Sequence, residues 1–288
     1  MVMINPLCTL AEFLVYNSPR QQTAGADAVD DGTIKSLIDA VSHYIEQQTW
    51  RTFTPRYETL GYDVPGVSHG YGNQLDLDDD LLEVVSITNG DGSTVTNTPT
   101  STYNLFPYNG YPKRAIRILR TVTTNWTQDS TGNNENIISV SGLWGFRDQY
   151  DQHGWSLVGT LGAAMNDTTT ATLTMTAGHS LVQDTVIKIG TELFNVNLVS
   201  TNAVTLNKRG DNGSTATTHL NGASVYVWNV QPEIHEAALM IVQNMYAAKI
   251  GQPTSVGKVT VTAAGVVIRP EDIPSMAQKI IDSYGLKY

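Results

Sequence analysis

Asp76-Leu77-Asp78-Asp79-Asp80 brings four carboxylates into five residues, a density that suits a hard cation such as calcium. An EF-hand loop needs glycine at its sixth position and glutamate at its twelfth. Counted from Asp76, those positions hold Leu81 and Ile87, so the loop fails. The alternation reads instead as a strand, with Leu75 and Leu77 inward and the carboxylates outward. Histidines 43, 69, 153, 179, 219 and 235 are scattered and form no HExxH or Cys/His metal spacing. His43 and His235 fall on predicted helices, where a surface or hydrogen-bonded core role is the plainer reading. The chain has no GxSxG elbow, no Walker loop and no GxGxxG following a strand. These patterns predict no metal, no cofactor and no enzymatic activity.

Two further features invite chemistry. Arg209-Gly210-Asp211 spells an adhesion tripeptide, but the adjoining Asn212-Gly213 marks a tight turn that accounts for the same residues. Trp126, Trp144, Trp155 and Trp228 have the size and flatness of carbohydrate platforms; packing at domain corners is the alternative. Trp155 and Trp228 bracket a β-rich stretch, which makes them candidate hinges sealing its two connections.

The background is mild. The 288 residues are 41% hydrophobic and 15% charged, with 24 glycines, a balance that leans toward β-rich globular structure. The formal charge is -10, the wrong sign for a surface that grips phosphates. An acidic wall would instead let DNA slide past without sticking, though plain solubility is the simpler account of the same charge. One cysteine, Cys8, excludes an internal disulfide framework. The N-terminal run lacks a basic region and contains Glu12, so it reads poorly as a signal peptide, and no segment approaches a membrane span.

The elements follow from periodicity. Thr9-Leu10-Ala11-Glu12 matches a capping box and predicts a helix over about 10–16. Ile34, Leu37, Ile38, Val41 and Ile45 form one helical stripe, with Asp30 and Asp31 just before it. From Thr54 the pattern turns to short antiparallel strands with turns at Asn89-Gly90 and Asn109-Gly110, closing at the corner Trp144-Gly145-Phe146. Between Trp155 and Trp228 brief strands alternate with turn residues, as in a small barrel or sandwich. Pro232 then opens a helix with Ile234, Ala238, Ile241, Met245 and Ala248 inward, Leu239, Val242 and Tyr246 beside them, and Gly251 as its cap. Residues 256–268 read as a hairpin or extended arm. A last helix over 274–284 should turn Met276, Ile280 and Ile281 inward and end on Gly285.

The expected class is α+β: about four helices in a bundle with an antiparallel β segment, plus a small all-β insertion domain. The expected domains are a discontinuous body, 1–152 with 230–288, and an insert, 153–229.

The pieces "TLAEFLVY", "DGTIKSLIDAVSHYIEQQTWRTF", "LLEVVSITNGDG", "YNLFPYNGYPKRAIRIL", "VSGLWGF", "PEIHEAALMIVQNMYAAKIG" and "PSMAQKIIDSYG" occur in that order over residues 1–150 and 231–288. In that order they resemble the head–tail connector (adaptor) proteins of tailed bacteriophages, the gp6-like family. In that family the glycine-aromatic corner leads within a few residues to the Pro-started helix; residues 147–231 intervene in this chain, as though a β-module were spliced into a surface loop. The resemblance implies a structural virion protein at the capsid–tail junction, made in the bacterial host cytoplasm. It implies a homo-oligomeric ring, commonly dodecameric, that binds the portal protein and a tail or neck (stopper or tail-terminator) protein. Genomic DNA would pass through the lumen without sequence-specific binding. Candidate partner contacts are Gly257, Lys258, Val259, Arg269, Tyr284 and Tyr288 in the C-terminal part, and His69 and Tyr71 in the glycine-rich loop 65–73. Trp144, Gly145, Phe146 and Pro232 form the structural corner. The rival reading is a tail-associated carbohydrate- or receptor-binding β-protein led by the insert.

Overall fold

The computed structural model describes residues 5–17, 28–66, 72–96, 102–249 and 273–286. In chain order the elements are α1 (Leu10–Asn17), α2 (Ala28–Thr49), β1 (Arg56–Tyr62), β2 (Gln74–Thr88), β3 (Tyr103–Phe106), β4 (Lys113–Ile118), β5 (Ile138–Trp144), α3 (Tyr150–His153), β6 (Trp155–Thr160), β7 (Thr172–Thr174), β8 (Val186–Ile189), β9 (Glu192–Ser200), β10 (Ala203–Leu206), β11 (Ser224–Trp228), α4 (Pro232–Lys249) and α5 (Ser275–Tyr284). Among the described residues, five helices and two antiparallel sheets make a mixed α and β protein.

The chain sorts into two compact units: Met1–Thr54 with Ser156–Asp211 and Ala216–Tyr288, and Pro55–Trp155 with Asn212–Thr215. This partition differs from the expected body and insert. The second sheet groups with the helices, and the first sheet stands as a unit of its own.

In the first unit α1, α2, α4 and α5 pack together. The capping box forms as its residue types demand: the Glu12 N–H donates to Thr9 Oγ1 at 3.2 Å, and Glu12 Oε2 accepts from the Thr9 N–H at 2.7 Å. Ile34, Ile38, Val41 and Ile45 are all buried, as the stripe in α2 predicts. The helix begins at Ala28, however, so Asp30 and Asp31 lie inside its first turn rather than ahead of it. On α4 the buried set is Ile234, Ala237, Ala238, Leu239, Ile241, Val242 and Tyr246. Ala248, expected inward, is exposed, and Met245 is only half-buried. A helix covered on several sides needs no narrow stripe, so the 3.6-residue extrapolation fails at its last turn. On α5, Ala277 and Ile281 are buried while Met276 is 62% exposed, and Gly285 has φ -54, which is not a left-handed cap. The predicted cap at Gly251 and the arm 256–268 lie outside the described residues.

The unit's six strands run in the order β6-β11-β8-β9-β10-β7. A bridge between Leu161 and Met175 joins the two edges, so the sheet curls into a small barrel. Its interior is apolar, centred on Phe194, Leu161, Ile187 and Val225. Three side-chain links tie it to the helical layer: Trp228 Nε1 to the Phe53 carbonyl at 2.9 Å, Lys35 Nζ to Asp184 Oδ2 at 3.1 Å, and the Asn5 N–H to Asn195 Oδ1 at 3.1 Å.

The second unit is a sheet in the order β1-β5-β2-β4-β3. The acidic run 76–80 belongs to one 15-residue strand, β2, that continues to Thr88, and its pairings with β4 and β5 both shift register. Leu75 and Leu77 face the core as expected; Asp80, expected outward, is fully buried and accepts from Arg114 at 2.9 Å.

Candidate interaction site

A groove of about 720 Å³ lies inside the first unit. Leu239 of α4, Val158 of β6, Val227 of β11 and Leu181 of the β7–β8 loop form its walls, and α1 lies along one side. At its mouth, Val15 is 74% and Val182 43% exposed.

Polar groups also line part of the groove. His235 Nε2 stands 3.3 Å from Glu12 Oε2. Burial works to raise the Glu12 pKa, but the hydrogen bonds from His235 and Thr9 outweigh it, and the carboxyl sits below its ordinary value. Asp184 is held by Lys35. Burial pushes the Cys8 thiol far up, so the cysteine is inert as a nucleophile. The groove's walls are mostly apolar, and Glu12 lies at its edge with Thr9 Oγ1 donating to its carboxylate at 2.8 Å. Among the described residues no group of three His, Cys, Asp or Glu is arranged to hold a metal, and no helix is long and apolar enough to cross a membrane.

The residues singled out in the sequence are distributed as follows. Trp144 ends β5, fully buried, with Nε1 donating to the Glu58 carbonyl at 2.9 Å. Gly145 has φ 147, a region that favours glycine, and its N–H donates to the Asp80 carbonyl at 2.8 Å. Phe146 is buried beside them in sequence. This corner belongs to the second unit; Pro232, which opens α4, belongs to the first. Trp155 is half-buried, with Nε1 donating to Tyr150 Oη at 3.2 Å. Trp228 is 5% exposed, which leaves no ring face for a sugar to stack on. Tyr284 ties α5 down: its carbonyl accepts from Arg51 Nε at 2.6 Å, and its hydroxyl meets Gln231 Nε2 at 3.0 Å. Gly257, Lys258, Val259, Arg269, Tyr288, His69 and Tyr71 lie outside the described residues.

The adhesion tripeptide is turned inward. Arg209 Nε and Nη2 reach the two oxygens of Glu192 at 2.9 and 3.0 Å, and Asp211 Oδ2 accepts from Asn195 at 2.9 Å. Arg209, Glu192 and Asp211 side chains are at most 5% exposed. Sequence reasoning missed the groove, because its walls come from segments scattered between Pro6 and Leu239. It also passed over Trp50, which is 72% exposed; the four tryptophans it weighed include the buried Trp126, Trp144 and Trp228.

No protein-family model matches the chain, and no curated protein matches it. Among solved structures it is similar to a chain of the neck of an empty GTA particle computed with C6 symmetry, at 10% identity and a TM-score of 0.31, covering 100% of this chain and 94% of that one. A likeness this slight identifies neither fold nor role.

Proposed function

We propose that the protein is a structural connector of a tailed-bacteriophage virion: a ring at the capsid–tail junction that binds the portal on one side and a tail or neck protein on the other. What supports the reading is the ordered set of sequence pieces that resemble that family, together with one structural observation. The two ends of the chain build one helical layer, in which the Leu286 N–H donates to the Thr49 carbonyl at 3.0 Å and Phe53 meets Tyr284 edge to face at 6.2 Å. A head-to-tail interface repeated with a closing rotation makes a ring. Twelve copies would carry about -120 formally (12 × -10), a field that keeps a DNA channel from gripping its cargo.

In this reading residues 153–229 are a β-domain spliced between the corner at Trp144-Gly145-Phe146 and Pro232 of a body made of 1–152 and 230–288. The role is mechanical rather than catalytic, and the protein resides in the virion after synthesis in the host cytoplasm. Gly257 to Tyr288 and the loop 65–73 carry the partner contacts. Electron microscopy of the purified chain mixed with its portal tests the proposal. Rings seated on the portal are the expected result. A chain that remains dispersed and binds no portal at any protein ratio overturns it.

A further inference from the structure

We propose that the groove between α1, the first half of α4 and the barrel receives the apolar arm, residues 256–268, of a neighbouring copy of this chain. The inference rests on the ring reading and names the contact that would close the ring. Three observations carry it.

The groove is the wrong shape for a finished surface. About 720 Å³ of apolar-walled space opens past Val15 and Val182, which are 74% and 43% exposed. A cavity of this size holds several aliphatic side chains, and covering it removes apolar surface from water.

The chain carries a segment of matching chemistry. Val256, Val259, Val261, Val266, Val267 and Ile268 punctuate a run otherwise made of Gly, Thr, Ala and Lys258. Such β-branched residues fill an elongated groove without long flexible stems to order.

Charge agrees. Residues 250–270 contain Lys258 and Arg269 and no carboxylate, while the groove's lip carries Glu12, whose side chain is 46% exposed. Complementary charge at the rim fixes register more than affinity. The groove is lined by the first half of α4 (Pro232, His235, Leu239), while residues 256–268 follow the helix's other end, Lys249, in sequence. A donor and an acceptor at opposite ends of one element suit head-to-tail propagation between copies.

The test uses a fluorescent peptide of residues 254–270 and three full-length chains: the wild type, an arm variant (Val259→Ser, Val261→Ser, Val266→Ser, Val267→Ser) and a groove variant (Val15→Asp, Val182→Asp). The groove positions are solvent-exposed, so folding should survive, and circular dichroism checks it. The peptide should bind the arm variant saturably, and adding Val15→Asp and Val182→Asp to that variant should weaken binding at least tenfold. Dilution of the wild type should open its groove to the peptide. Absent saturable binding, or binding indifferent to the groove substitutions, overturns the docking. A wild-type groove that stays closed at every dilution shows that each chain fills its own groove, and overturns the exchange between copies. Rings that form on portal from the groove variant defeat this inference while leaving the connector reading intact; peptide docking without portal binding does the reverse.

Discussion

The indole N–H of Trp228 donates a 2.9 Å hydrogen bond to the carbonyl of Phe53, across 175 residues of sequence, and both residues are buried. The bond ties the last barrel strand to the chain just beyond α2. Trp228→Phe keeps most of the ring but removes the donor of this buried hydrogen bond, and should cost about 1–3 kcal/mol. Trp228→Ala adds a cavity and should cost about 3–5 kcal/mol. Urea denaturation of both variants measures this. If Trp228→Phe leaves the midpoint unchanged, the bond contributes nothing and the barrel is held by other contacts.

The Lys35–Asp184 pair makes the same junction from α2. The Lys35 side chain is 15% exposed and that of Asp184 1%. Removing one partner of a buried pair strands the other's charge, so Lys35→Met should cost about 3–5 kcal/mol, whereas Lys35→Met with Asp184→Asn should recover part of the loss. A double variant no better than the single one would show that the charge itself is not what the site requires.

Glu192 gives the barrel an acid limit. Its carboxylate accepts from Arg209, from the backbone N–H groups of Gly210 and Thr217, and lies 2.8 Å from His219 Nε2. Burial tends to raise its pKa, yet these bonds prevail and the folded value lies below the ordinary 4.5. A depressed carboxylate contributes stability that is present above its unfolded pKa and lost as pH falls through the folded one. The wild type should therefore lose stability below about pH 4.5, and Glu192→Gln should be weaker at neutral pH with a flatter acid limb. Thermal melts at several pH values decide it: parallel curves would remove Glu192 from the account. The same geometry predicts that the tripeptide 209–211 supports no cell attachment.

Much of this was readable in the sequence, and the gaps have physical reasons. Capping residues, the Ile34–Ile45 stripe and Pro232 speak locally, since each fixes its own few residues of backbone. On α4, Ala248 lies on the expected inner face yet is exposed, while Ala237 lies off it and is buried, because tertiary packing rather than helical period decides which flank is covered. Asp80 looked like its neighbours Asp78 and Asp79, and only the pairing of β2 with β4 brings Arg114 to it. The groove depends on α1, α4 and barrel segments converging, which no window of sequence can contain. The bonds that Trp228, Lys35 and Asn5 make between the barrel and the helical part of the first unit were likewise illegible, since their partners are far away in sequence.

Gly213 is a position where the backbone admits no side chain. Its φ is +74, and a Cβ there would stand 2.0 Å from the Tyr57 carbonyl oxygen. The neighbouring Asn212 carbonyl accepts from the Tyr57 N–H at 2.8 Å, so the close approach is itself hydrogen-bonded. Gly213→Ala combines left-handed strain with a backbone clash and should cost more than about 2 kcal/mol. Gly92, with φ +81 and open space around it, isolates the strain alone and should cost about 1 kcal/mol as Gly92→Ala. Equal losses in the two variants would mean that the clash with Tyr57 is relieved at little cost.

Trp50 sits directly after α2 with φ 54 and is 72% exposed. A bulky residue in the left-handed region stores about 1–3 kcal/mol of strain, and an indole so exposed recovers little of it through packing. Asparagine adopts that backbone readily without glycine's entropic penalty. Trp50→Asn should therefore stabilise the isolated chain by about 1 kcal/mol, read as a higher urea midpoint with an unchanged slope. An exposed tryptophan held at a strained position is also the residue type that anchors interfaces, so if the chain assembles as the ring proposed above, the same substitution should weaken that assembly at least thirtyfold, the effect of losing about 2 kcal/mol. A stabilised variant that still assembles normally would leave Trp50 as strain without a partner, and a destabilised one would mean that its ring packs more than its exposure indicates.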